Sequence, residues 1–247
     1  MYMSGTPENI RPYQNNKQKD VQIEQMFDKI AGRYDLLNHI LSLGFDRSWR
    51  RKCIDYFKPF APDTMLDIAS GTGDLAILAC KRLKPHHVIA ADLSRGMMNI
   101  GRRKVSKAGF SGCISFEYQN CMSLSYRNDS FDGVTAAFGV RNFSHIKQGL
   151  AEMYRVLKPG GHLAILELSV PACFPAKQLY HLYAKVMVSY AGGILGLEKA
   201  AYHYLPESVK AMPQGKEMVD LLTEQGFRKA EAGRFTWGVC SMYTAMK

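Results

Sequence analysis

The chain reads as an α/β protein with a doubly wound, mostly parallel sheet, and three observations predict this. The first is a glycine turn. Thr64-Met65-Leu66-Asp67 leads into Ile68-Ala69-Ser70-Gly71-Thr72-Gly73-Asp74. The apolar run is too short for a helix, so Met65–Ala69 is expected as a buried strand, and Asp74–Lys84 carries Leu75, Leu78, Ala79 and Leu83 at helical spacing. The second is the rhythm that follows, in which short apolar runs alternate with helical patterns, as in a parallel sheet covered on both faces. The third is the C-terminal stretch Phe227–Met246, which reads as two strands returning on each other and therefore antiparallel. Together they predict a seven-stranded Rossmann-like sheet with N-terminal helices and a helical lid.

Residues 1–20 are polar, with Asn15-Asn16-Lys17-Gln18-Lys19-Asp20 and no periodicity, and are expected to form a flexible tail. Residues 21–247 then form one domain. A helical pattern starts at Val21 and runs through Met26, Phe27 and Ile30 to Arg33-Tyr34-Asp35 and Leu41. A further helix, Asp46–Phe57, carries Trp49 and ends before Pro59. Such a preamble can cap the carboxyl edge of the sheet, where doubly wound proteins bind ligands. Tyr34 is its polar residue of interest, and it reads equally as an amphipathic core tyrosine.

After the glycine turn, His87–Ala91 is a second strand ending at Asp92, and Gly96–Ala108 a basic helix. Ile114–Tyr118 and Phe131–Phe138 are the third and fourth strands. Ser144–Leu157 is a helix closed by the turn Lys158-Pro159-Gly160-Gly161, and His162–Ser169 is the fifth strand. Residues 171–215 break this rhythm. They hold Phe174, Tyr180, Tyr183, Tyr190, Tyr202 and Tyr204 and the uncharged run Val186–Leu197. Helices here are expected as a lid over the carboxyl edge. The lid reads either as a packing insertion or as an apolar substrate tunnel or membrane contact, since tyrosine suits a surface apolar at one end and wet at the other. Gly215–Gly226 is a final helix.

The chain is basic, with a formal charge of +10, which raises the question of nucleic acid or an anionic membrane as partner. The densest clusters, Arg47–Lys52 and Arg102–Lys107, are not interleaved with aromatics as a nucleic-acid platform would be, and read as solvated helix faces. No nucleic-acid partner is expected. The six cysteines form no C-x-x-C pair and several sit inside apolar elements, the pattern of a reducing compartment. No stretch approaches the ~20 apolar residues of a spanning helix, so the protein is expected in the cytoplasm, with peripheral membrane contact left open. No His/Cys metal spacing appears, and no metal is expected.

Gly71 and Gly73 leave the backbone bare where a strand ends and a helix starts, so a ligand can approach closely. Asp92, at the end of the next strand, can accept hydrogen bonds from both hydroxyls of a ribose. Gly71-Thr72-Gly73-Asp74-Leu75-Ala76 formally satisfies a dinucleotide pattern, but that match is weak. A pyrophosphate needs positive potential at the helix start, and the turn is flanked by Asp67 and Asp74 with no basic residue between Asp67 and Leu78. S-adenosylmethionine carries an ammonium and a sulfonium, which acidic surroundings favour. A nicotinamide oxidoreductase is thereby disfavoured.

Asp67–Asp74, Asn120-Cys121, Phe138-Gly-Val-Arg141-Asn142-Phe143 and Glu152–Gly161 resemble the successive motifs of class I methyltransferases. Phe27-Asp-Lys-Ile-Ala-Gly-Arg-Tyr-Asp-Leu-Leu-Asn38, Phe-Gly-Val-Arg-Asn and Tyr202-His-Tyr-Leu-Pro-Glu-Ser208 are similar to the quinone-biosynthesis C-methyltransferases, from about residue 21 to the end. The resemblance implies methyl transfer from S-adenosylmethionine to demethylmenaquinol or, alternatively, to 2-methoxy-6-polyprenyl-1,4-benzoquinol. A sterol or nucleic-acid methyltransferase is the rival within the class.

The resemblance also places cofactor contacts on Thr72, Asp92, Asn120 and Cys121. It puts Cys121 where relatives have a small residue and Ala137 where they often have serine. Carbon methylation of a quinol needs a developing phenolate to be stabilised by preorganised donors. Arg141 and Asn142, just past the fourth strand, are placed for that, and Tyr34 could bond the other hydroxyl. His145 reads as helix surface rather than as a base. A homodimer is left open.

Overall fold

In the computed structural model, which describes residues 7–13, 15–180, 182–183 and 199–247, successive residues of each central strand enter opposite layers. Met65, Val88, Ala90, Ala164 and Leu166 pack with one core, and Leu66, Ile68, Ala91, Leu163 and Ile165 with the other. This is the two-residue alternation of a strand buried on both faces, and it explains why these strands read as unbroken apolar runs. The strands are β1 (Thr64–Ile68), β2 (His87–Asp92), β3 (Ile114–Tyr118), β4 (Phe131–Ala137), β5 (Leu157–Leu168), β6 (Arg228–Phe235) and β7 (Cys240–Met246). They form one sheet in the order β3-β2-β1-β4-β5-β7-β6. β7 runs antiparallel to both of its neighbours, and the remaining pairs are parallel.

The helices are α1 (Lys19–Ile30), α2 (Tyr34–Leu41), α3 (Asp46–Asp55), α4 (Asp74–Leu83), α5 (Arg95–Lys107), α6 (Ile146–Val156), α7 (Lys199–Ala211) and α8 (Lys216–Glu224). Residues 176–180 and 182–183 are also helical. The chain winds outward from β1 to β3 and then crosses to β4 on the other side of β1. The carboxyl ends of β1 and β4 therefore flank the switch point where an open α/β sheet binds ligands. At that point Gly139 lies so close to Ala69, the residue after β1, that a Cβ on it would clash with the Ala69 side chain.

Two expectations differ from the structure. Residues 7–13 and 15–20 are tied to the body rather than forming a flexible tail. Lys19 Nζ, buried, donates to Pro7 O at 2.7 Å and to Phe143 O at 2.9 Å. Gln22, fully buried, accepts from Tyr13 N and donates to Lys17 O. Low hydrophobicity hid these anchors, because each is a polar side chain saturating backbone carbonyls or amides. The second is Lys158-Pro159-Gly160-Gly161, which bulges within β5 instead of preceding it: Leu157 pairs with Phe131 and His162 with Gly133. The terminal residue fills that gap, Gly160 N donating to Lys247 O and Lys247 N to Gly161 O, each at 3.0 Å. The run Val186–Leu197 and Tyr190 lie outside the described residues. No helix among the described residues is long and apolar enough to cross a membrane.

Candidate active site

The glycine turn is shaped by backbone that only glycine adopts freely. Gly71 and Gly73 have φ of 56° and 78°. Ser70 N donates to Ala91 O at 3.1 Å, and Gly71 N to Asp92 Oδ2 at 2.7 Å, which pins the turn to the end of β2. Ser94 N donates to the other Asp92 oxygen at 2.7 Å. Both carboxylate oxygens keep a lone pair for a ligand. Burial pushes the Asp92 carboxyl above its ordinary range, while these amides pull it down. A cleft of about 600 Å³ opens here, lined by Gly71, Asp92, Asn120 and Cys121 of the sheet edge and by Asp20 and Phe27 of α1. Asn120 Oδ1 accepts from Met122 N at 2.9 Å and its amide donates to Asp20 at 3.2 Å. α1 thus closes the far wall of the cleft.

Two residues of the turn act differently from the sequence reading. Gly73 does not line the cleft; a Cβ there would sit 2.7 Å from Phe116 Cζ, so the residue is glycine for its conformation and for packing. Thr72 turns away from the cleft. Its hydroxyl donates to Asp35 Oδ1 at 2.6 Å and accepts from Lys104 Nζ at 2.9 Å. Lys104 also bridges Asp35 at 2.6 Å and pairs with Asp74. The carboxylate at the start of α4 is therefore neutralised by a lysine of α5, one of the cluster read as a solvated face.

A second correction concerns Arg50, read with Arg47–Lys52 as solvated. It is buried, pairs with Asp46 one helical turn earlier, and lies over the Phe138 ring at 5.2 Å. With Asp67, Ser70, Gly71, Thr72 and Tyr34 it lines a cavity of about 330 Å³ behind the turn. Asp67 Oδ1 accepts from Thr135 Oγ1 at 2.8 Å, but Asp67 Oδ2 and Ser70 Oγ are buried without a hydrogen-bond partner. Burial raises the Asp67 carboxyl to about 7, against the Thr135 bond and the nearby Arg50 charge. A buried cation, a buried carboxyl and an unused hydroxyl match an amino-acid zwitterion.

A third cavity, about 520 Å³, opens on the other side of Tyr34. Tyr34, Leu37, Asn38 and Leu41 of α2, spaced along one helical face, line it with Arg141 and Asn142. It shares Phe27, Tyr34 and Asn142 with the 600 Å³ cleft, so the two spaces meet. Arg141 and Asn142 belong to the turn Val140–Asn142 directly after β4. The Arg141 guanidinium donates to Phe138 O and, at 3.0 Å, to Glu167 of β5, while its Nε and the Asn142 Oδ1 are buried without partners. Burial works against the Arg141 charge, yet Glu167 and the nearby Tyr34 and Tyr204 hold its pKa above the ordinary value. Burial likewise raises the Tyr34 phenol, opposed by Arg141.

The model of the ubiE/COQ5 methyltransferase family matches residues 15–247. The chain belongs to this family. It is 51% identical to a demethylmenaquinone methyltransferase of Bacteroides fragilis over 99% of its length and 100% of the relative's. A demethylmenaquinone methyltransferase of Porphyromonas gingivalis is 47% identical over 98% of this chain and 99% of its own. Among solved structures, an S-adenosyl-L-methionine-dependent methyltransferase of Methanococcus maripaludis superposes with a TM-score of 0.64 at 18% identity, covering 95% of this chain and 96% of that one, which speaks for the fold.

Within this ubiE/COQ5-family site, Gly71, Asp92, Asn120 and Cys121 share one cleft, Arg141 borders the adjoining cavity, and Tyr34 and Asn142 border both. Thr72 lies on the cavity behind the turn. Ala137 lines that same cavity with no polar side chain to offer. His145 is exposed. Sequence reasoning missed Asp20, Arg50, Ser70 and Glu167. A signal existed for Arg50 alone: it shares a helical face with Cys53 and Ile54, both buried.

Proposed function

We propose that this chain transfers a methyl group from S-adenosylmethionine to a ring carbon of demethylmenaquinol, with methoxy-polyprenyl-benzoquinol as the second reading. The observation that carries this is the meeting of two cavities at Tyr34 and Asn142. The cofactor fits this chain's residues. Asp67, Ser70 and Arg50 suit the methionyl zwitterion, Asp92 the ribose hydroxyls, and Cys121 with Phe27 the adenine faces. When bound, S-adenosylmethionine would supply an electrophilic methyl: its methyl–sulfur bond breaks to leave S-adenosylhomocysteine as the ring carbon of the ionised quinol takes the methyl. Loss of the ring C–H proton, with return of a proton to the phenolate oxygen, restores the quinol, one proton being released overall. Arg141 Nε–H is a donor held ready for the phenolate oxygen, where preorganisation counts most. Tyr34, expected from the sequence at the other hydroxyl, joins it there because it borders the cofactor cleft as well as the adjoining cavity. The cavity walls orient the ring and exclude water, converting binding energy into alignment.

The prenyl chain leaves a second demand, an apolar exit. α2 presents Leu37 and Leu41 to the cavity and Leu36 and Ile40 to solvent, and Leu43 beyond it is 73% exposed. Leu179 and Leu182 are exposed as well, and the Tyr183 hydroxyl donates to Leu41 O at 2.8 Å, joining the helical segment before residue 184 to this face. Arg47 and Arg51 of α3, the next helix after Leu43, are exposed. An apolar patch with a basic rim suits an anionic membrane surface, from which a prenylated quinol can enter. Residues 21–247 act as one domain, and of the stretch 171–215 the described residues Tyr183, Tyr204 and Leu205 border this entrance or its cavity.

The direct test supplies purified protein with S-adenosylmethionine and reduced demethylmenaquinone of short prenyl length, in parallel with the benzoquinol. A product heavier by one methylene group, formed faster from the naphthoquinol, is expected. Methylation of neither quinol would overturn the reading.

A further inference from the structure

Tyr204 of α7 is 4% exposed, and its hydroxyl is buried with no hydrogen-bond partner. Its ring packs with Ile23 and Met26 of α1, a role a phenylalanine would fill as well. A buried hydroxyl without a partner lowers stability, so the oxygen at this position has a use that packing does not explain. The same side chain lines the cavity bordered by Arg141 and Asn142, and it does not line the adjoining cleft that holds Asp92 and Asn120. Burial keeps the phenol protonated well beyond the ordinary range, although Arg141 pulls the other way. Burial thus favours the neutral hydroxyl, which can donate.

We infer that the Tyr204 hydroxyl hydrogen-bonds the quinol oxygen para to the one that ionises, fixing the ring within the cavity beside Arg141. This rests on the quinol reading above. A para-quinol has an oxygen at each end of its ring. Tyr34 and Asn142, on the wall shared with the cofactor cleft, serve the end nearer the methyl donor, together with Arg141, which adjoins Asn142 in the turn Val140–Asn142. Tyr204, on the substrate side alone, serves the other. The ring is then held at two points, and rotation that would carry the acceptor carbon away from the cleft is blocked.

The test is Tyr204→Phe in the full chain. Three readouts are needed: kcat/KM on demethylmenaquinol of short prenyl length, the Kd for S-adenosylmethionine by calorimetry, and the Tm without ligands. A second substrate, the matching prenylated 1-naphthol that lacks the para oxygen, is run beside the quinol. Expected is a loss of about threefold to tenfold in kcat/KM on the quinol, the scale of one hydrogen bond. On the naphthol, wild type and variant should be equal. Cofactor affinity should stay within about twofold, and Tm should hold or rise. Unchanged kcat/KM on the quinol, or an equal loss on both substrates, overturns the inference. A lowered Tm accompanied by weaker cofactor binding also overturns it, since that marks a structural hydroxyl. If wild type methylates no quinol, the quinol reading itself fails and this one with it.

Discussion

One carboxylate, Glu167, receives both the guanidinium of Arg141 at 3.0 Å and the Arg141 backbone N–H at 3.2 Å. Both side chains are buried, at 6% and 1% exposed. Asp35 of α2 takes no part in this pair, being held by Thr72 and Lys104. Glu167 instead fixes Arg141 on the carboxyl edge of the sheet and leaves its Nε unspent.

Arg141→Lys separates these two duties. A lysine ammonium can still neutralise Glu167, so the buried charge keeps a partner and Tm should fall only modestly. It cannot offer a second donor in the guanidinium plane. Turnover should therefore fall about 10²-fold or more, the scale of losing one oxyanion donor, with cofactor affinity preserved. Near-normal turnover in a stable variant would remove Arg141 from catalysis. Glu167→Gln is the complement: it strands the Arg141 charge, and denaturant unfolding should show a loss of about 3 kcal/mol or more.

The sheet was legible because burial on both faces writes continuous apolar runs, and the turn because Gly71 must take a positive φ. The site was legible where its residues come from strand ends, as with Asp92, Asn120 and Arg141. It was not legible where partners come from distant helices. Apart from the helical face that Arg50 shares with Cys53 and Ile54, nothing local tells that Lys104 reaches Asp74 or that Glu167 lies under Arg141. Charge counting along the glycine turn therefore overstated its acidity: Lys104 cancels Asp74, and Asp67 is held near neutrality by burial.

Asp67 makes stability and cofactor binding depend on pH. The folded-state pKa of Asp67, about 7, lies above its unfolded value of 3.8. Between those values the native state binds the extra proton, so this group's contribution to stability declines as pH rises through the window. A cofactor ammonium beside it favours the ionised form. S-adenosylmethionine should therefore bind more weakly at pH 6 than at pH 8, and near pH 7 binding should release a proton. Calorimetry in buffers of different ionisation enthalpy reads that proton directly. Asp67→Asn should weaken cofactor binding, abolish the proton release and raise the ligand-free Tm at pH 8. Proton release that survives the substitution would assign it to another group.

Leu43 is apolar, 73% exposed, and held at φ 51°, a conformation that costs a leucine stability and that asparagine tolerates. Ile40 is 42% exposed on a helix that glutamine would favour. If packing alone set these residues, polar replacements would have no functional effect. If they meet a membrane, Ile40→Gln with Leu43→Asn should keep or raise Tm while weakening association with phosphatidylglycerol vesicles. Removing two partly buried aliphatic groups from the bilayer boundary should weaken partitioning by about tenfold or more. Wild-type association should fall as salt rises, because Arg47 and Arg51 meet the anionic headgroups through screened contacts. Activity should fall on quinol delivered in vesicles and hold on a short-prenyl quinol in solution. Equal vesicle binding by variant and wild type would leave this face without a membrane role, and the entrance for the prenyl chain would lie elsewhere.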